Sequence, residues 1–160
     1  MRKHLILVLS ALLVLASHAH LMRMLAPLDP GILALQFAFT PQAYWRIIDL
    51  WGASGLAIYR AHFAYDNFHP FFYGAFGYLL IARTRVFDAS RLRCAALLAL
   101  PLAGLFDLSE NAAQIFLLGQ PHGIESIMIP LSATCSLLKW GLVLGFAAML
   151  SIQWMRQRQP

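Results

Sequence analysis

Asp107, Glu110, Asn111 and Gln114 sit at spacings of three, four and seven, so a helix carries all four on one face. His62, Asp66, His69 and Tyr73 repeat the pattern at four, seven and eleven, and Ser132, Ser136 and Lys139 do so a third time. Carboxylates, imidazoles and one lysine on helical stripes are the groups that move protons, anchor a polar head or hold a metal. Their surroundings make them informative. Each stripe lies in a long apolar run, where a charged residue at the centre of a membrane helix costs roughly 2.5–3.5 kcal/mol. Such residues persist when they pair, face a cavity or do work.

The elements that carry the stripes follow from composition. The chain has 160 residues, 60% of them hydrophobic and only 12% charged. A mean hydropathy of +0.65 excludes a disordered chain and most soluble enzymes. Four apolar runs are long enough to cross a bilayer, at about residues 5–25, 55–82, 94–119 and 129–154. The expected architecture is therefore an all-α, integral membrane four-helix bundle, residues 1–160 forming one transmembrane domain. Ser17-His18-Ala19 could end a secretory signal, but the apolar character continues through Leu25, so a retained first helix is expected.

The net charge of +5 comes from basic residues clustered at the ends of these runs, which is a topology signal and not a nucleic-acid surface. Arg2, Lys3, Arg83, Arg85, Arg91, Arg93, Arg156 and Arg158 fall on one side, against Arg23, Arg46 and Arg60 on the other. The chain is thus expected to be a multi-pass protein of a bacterial inner membrane with both termini cytoplasmic.

Between runs one and two, Thr40-Pro41 reads as a helix cap followed by proline at the first helical position. Tyr44, Ile47, Ile48 and Trp51 then recur at helical spacing before Gly52. This predicts a short interfacial amphipathic helix over about 41–51, either flat on the lipid or acting as a lid. Gly141 and Gly145 form a GxxxG that permits close helix packing.

Depth ties the stripes together. At about 1.5 Å per residue, Asp66, His69, Asp107, Glu110, Lys139, His18 and His20 all lie about 21–25 Å from the cytoplasmic edge. In a hydrocarbon core about 30 Å thick, that is a single layer in the outer half. Lys139 has Asp107 and Glu110 as candidate partners, and three carboxylates against one lysine leave negative charge for a proton, a histidine or a ligand cation to balance.

The site expected from these residues is a buried polar core of Asp66, His69, Tyr73, Asp107, Glu110, Asn111 and Lys139. It would bind a small amphiphilic or lipid-like ligand, with proton linkage through the carboxylates, and Phe72, Phe76, Tyr65 and Phe116 would line its apolar part. Three alternatives stand beside it. A lipid-modifying membrane enzyme would take Asp107 or Glu110 as acid or base and His69 as shuttle. A haem or metal site would draw on His18, His20, His62 and His69, with His122 and Asp66 near, although no HExxH-type motif accompanies them. An accessory subunit of a membrane complex, or a homo-oligomer, would instead use the GxxxG face and the aromatic patches, with no solvent-accessible cavity at the polar layer, whose residues would then serve only as glue between helices. No cofactor is required by the first reading, and Cys94 and Cys135, which form no CxxC, read as small core residues.

Phe39 to Leu80, with Thr40-Pro41, Trp51-Gly52, Gly55 and Asp66 followed by Pro70 and Tyr73, resembles a family of small uncharacterised bacterial four-helix membrane proteins. Phe106-Asp107-Leu108-Ser109-Glu110-Asn111 and Lys139-Trp140 resemble that family's other marks. The likeness implies a four-helix membrane fold and the same polar layer, and it brings no activity. Arg60-Ala61-His62 with Asp66-Asn67 and Pro70-Phe71 is similar to a motif of the membrane-associated eicosanoid and glutathione metabolism proteins, with Asp in place of Glu and the spacing one residue shorter. That likeness implies glutathione contacts at Arg60 and Asn67.

Overall fold

The computed structural model describes residues 2–84, 86–87 and 90–157. Arg85 and Arg158, two of the residues behind the expected orientation, lie outside them. Among the described residues the fold is entirely helical: α1 Arg2–Leu25, α2 Ile32–Gln36, α3 Pro41–Asp66, α4 His69–Arg83, α5 Ser90–Leu118 and α6 Met128–Arg156. Segments Leu5–Leu25, Arg91–Leu118 and Met128–Arg156 are long and apolar enough to cross a membrane, which marks a membrane protein.

The second apolar run is the main correction. It is not one helix over 55–82: α3 ends at Asp66 and α4 begins at His69. Pro70 has no N–H to give the Asp66 carbonyl, and its ring clashes with that carbonyl, which favours a break here, whereas α5 continues through Pro101. Tight turns carry the chain instead, with Phe68 N–H donating to the Tyr65 carbonyl (3.0 Å) and Phe71 N–H to the Phe68 carbonyl (3.2 Å).

The segment before the second run behaves as its residues dictate. Thr40 Oγ1 accepts from the Ala43 N–H at 3.2 Å, and Pro41 opens α3. Gly52 interrupts the helix at φ 59°, a left-handed conformation open to glycine, and separates 41–51 from the rest of α3. The short helix α2 had no counterpart in the expected elements.

The helices pack in a row, α1 on α4, α4 on α5 and α5 on α6, with α3 also touching α1. The glycines in tight interhelix contact lie between α4 and α5 and not at the GxxxG, since nothing comes within 4 Å of where a Cβ would stand on Gly141 or Gly145. A Cβ on Gly77 would fall 2.6 Å from Leu100 Cδ1 and 2.7 Å from its Cβ, and one on Gly104 would lie 3.1 Å from the Pro70 carbonyl oxygen. Gly77→Ala must therefore push α5 away, and a loss of about 1–3 kcal/mol is expected in chemical denaturation, whereas Gly141→Ala should leave stability unchanged or slightly raised.

Candidate functional site

Antiparallel packing of α5 on α6 sets the polar stripes of the two helices face to face. Lys139 Nζ lies 2.8 Å from Asp107 Oδ1 and 2.7 Å from Glu110 Oε2, donating to both. All three side chains are buried, at 6%, 5% and 3% exposure. One ammonium against two carboxylates leaves a formal charge of −1 inside the helix layer.

The network extends on both sides. Tyr73 of α4 donates its phenol to Asp107 Oδ2 at 3.0 Å. Asn111, one turn beyond Asp107, donates through Nδ2 to Asp66 Oδ2 (2.9 Å) and Asn67 Oδ1 (3.2 Å), clasping the α3–α4 break. His62 Nε2 stands 3.8 Å from Asp66 Oδ2, while its Nδ1 contacts the Tyr59 carbonyl. Toward the other end of α5, Gln114 Nε2 donates to Ser132 Oγ (2.7 Å), and Gln114 Oε1 accepts from the Tyr44 hydroxyl (2.9 Å). Through Tyr44, and through Trp45 Nε1 on the Ile124 carbonyl (2.9 Å), the 41–51 segment is fastened over the α5–α6 end of the network.

Of the seven residues expected to form the polar core, Tyr73, Asp107, Glu110 and Lys139 share one bonded group, Asp66 and Asn111 bond each other beside it, and His69 is displaced. His69 turns away from the cluster toward α1, where its Nδ1 is 2.7 Å from Ser17 Oγ and its ring is 5.7 Å from that of His18. It still abuts Tyr73, ring centroids 5.3 Å apart, so it bridges α1 to the Asp107 side. Among the described residues no buried side-chain nitrogen or oxygen lacks a hydrogen-bond partner. The cluster is closed by hydrogen bonds among its own members.

Open space lies one layer out, in two apolar grooves of about 340 and 330 Å³, the second between α4 and α5. The first runs where α1 meets the α3–α4 break, lined by Leu13, Ser17 and His20 of α1 and by Tyr65, Phe68 and Phe72. Its wall is almost all carbon, with Ser17 and His20 as polar points. Tyr65 and Phe72 belong to the apolar wall expected from sequence; Phe68, Leu13 and Ser17 do not. Leu13 gives no sign of itself in a helix that is apolar all round, and Phe68 enters only because the break swings it outward.

The remaining histidines are scattered. His20 rests edge-on against Tyr65 at 4.5 Å. His122 pairs with Asp49 at 2.8 Å on the surface, both side chains more than half exposed. Among the described residues no three His, Cys, Asp or Glu side chains converge as a metal would require. Arg60 donates to the Leu118 carbonyl (2.9 Å), capping α5, and Asn67 accepts from Asn111, so both are engaged within the chain. Ser136 donates to the Ser132 carbonyl (3.2 Å), as helix hydroxyls commonly do, and its hydroxyl also lies within hydrogen-bonding reach of Glu110.

Gln114 and Ser132 could have been paired from the sequence. In an antiparallel helix pair, facing residues have numbers of constant sum, and 114 with 132 shares the sum of 107 with 139. No family model matches the chain, and neither a curated protein nor a solved structure matches it.

Proposed function

We propose that this is a four-crossing protein of a bacterial inner membrane that binds a lipid-like amphiphile in the α1 groove, with the buried charged cluster behind it. The second crossing is the broken pair formed by the part of α3 after Gly52 together with α4, running antiparallel to α1. The 41–51 segment lies at the outer interface, and the basic ends of the helices face the cytoplasm. The residues that carry the likeness to small bacterial four-helix membrane proteins are those of the network, namely Asp66, Asp107, Glu110, Asn111 and Lys139.

The carrying observation is the apolar groove at the α3–α4 break, whose polar point Ser17 is bonded to His69, the residue that packs on Tyr73 and so on Asp107. An acyl chain suits the wall formed by Leu13, Phe68 and Phe72, and a polar head suits Ser17 and His20. The cluster itself is too tightly closed to seat the ligand. Its formal charge of −1 calls for a cation, and a proton is the one small enough to enter, which ties ligand binding to proton occupancy.

The test is thermal unfolding of the purified full chain in detergent, titrated with bacterial lipid extract. A ligand present at about 100 times its Kd stabilises by about 2.7 kcal/mol, which reads as a rise in melting temperature. Leu13→Trp fills the groove from an exposed position on α1, and is expected to abolish that rise while leaving the lipid-free melting temperature close to the parent's. An equal rise in parent and Leu13→Trp would overturn the assignment.

A further inference from the structure

Polarity changes along the groove in a fixed order. Leu13 stands at its inner end, then Ser17, then His20, and Arg23 follows three residues on, about 4.5 Å further out along α1. Carbon, hydroxyl, imidazole and guanidinium thus succeed one another in the sequence in which a phospholipid presents chain, glycerol region and phosphate. Arg23 is exposed and has no carboxylate partner among the described residues. Asp66, at the end of α3 beside the groove, is half-buried and turned onto Asn111, so it does not oppose an anion at the groove mouth.

What surrounds the groove identifies the source of the occupant. α1 is long and apolar enough to span, and Leu9, Leu12, Leu13 and Leu15 are all about half exposed or more. That surface is covered by lipid in a bilayer, and Phe68 and Tyr65 on the other rim are also more than half exposed. We propose that the groove holds one acyl chain of an anionic phospholipid drawn from the surrounding membrane, with its phosphate at His20 and Arg23. This names the ligand class of the site and rests on the amphiphile reading above.

The test uses the full chain in detergent with two probes of identical acyl chains, phosphatidylglycerol and phosphatidylcholine, and native mass spectrometry to count bound lipid and obtain affinities. Phosphatidylglycerol should bind the parent several-fold more tightly. Arg23→Gln should weaken phosphatidylglycerol about fivefold and leave phosphatidylcholine unchanged. Leu13→Trp should weaken both. Equal affinity of the parent for the two lipids, or a phosphatidylglycerol preference that survives Arg23→Gln, overturns the anionic assignment while the groove stands. Binding of both lipids indifferent to Leu13→Trp overturns the groove itself. Arg23 is exposed and distant from the cluster, so unchanged melting of Arg23→Gln serves as the folding control.

Discussion

Lys139→Met is expected to destabilise the chain by about 3–5 kcal/mol, the largest effect of any single exchange in the buried network. The ammonium is bonded to Asp107 at 2.8 Å and to Glu110 at 2.7 Å, and neither carboxylate has another cation at that distance among the described residues. Methionine fills a similar volume but leaves two carboxylates facing each other in a medium that cannot hydrate them. The loss therefore arises from the groups left behind, which sets a second expectation: Lys139→Met combined with Asp107→Asn and Glu110→Gln should recover most of it. Equilibrium unfolding in detergent measures both. The exposed His122–Asp49 pair provides the contrast, because its charges stay hydrated, and His122→Ala should cost about 1 kcal/mol or less.

Gln114→Leu is expected to have the next largest effect. The Gln114 amide is 2% exposed and serves two partners, accepting from Tyr44 and donating to Ser132. Leucine matches its size and satisfies neither. Each orphaned hydroxyl costs about 1–3 kcal/mol, so a total of several kcal/mol is expected. Tyr44 is one of the pins of the 41–51 segment, so the loss should be local as well as global, with faster amide hydrogen exchange over residues 41–51 than in the parent. Adding Tyr44→Phe removes one orphan and should restore part of the stability without restoring the pin. Gln114→Leu that unfolds like the parent would show that this end of the network carries no load.

These expectations trace back to stripes visible in the sequence. Helical spacing alone places Asp107, Glu110 and Asn111 on one face of α5 and Lys139 on one face of α6, and an antiparallel pair can bring them together only at matched depth. That part was legible because charge in an apolar run is costly and must be turned inward. The α3–α4 break was less so. Hydropathy sees residues 55–82 as continuous, since it weighs side chains and not the missing N–H of Pro70. Once the helix is interrupted, His69 no longer continues the stripe of His62 and Asp66, and it turns to Ser17 of α1. The groove inherits this difficulty, because its rim residue Phe68 belongs to the break and α1 has no polar stripe to orient it. The GxxxG at Gly141 and Gly145 permits close packing but meets no neighbour within the chain, and the small residues in tight contact are Gly77 and Gly104, opposite Leu100 and Pro70.

The groove and the cluster are joined through few atoms: Ser17 on His69, His69 on Tyr73, Tyr73 on Asp107. An amphiphile lying against Ser17 would therefore be three side chains (Ser17, His69 and Tyr73) from a buried group of unbalanced charge, a separation short enough for occupancy of one to bias the other. The most direct test is a density map of the full chain in a lipid nanodisc containing phosphatidylglycerol. An elongated density is expected along Leu13, Phe72 and Phe68, ending in a head beside His20 and Arg23, with no ligand density between Asp107 and Lys139. A groove filled by its own side chains, with lipid ordered on some other face of the helices, would contradict it.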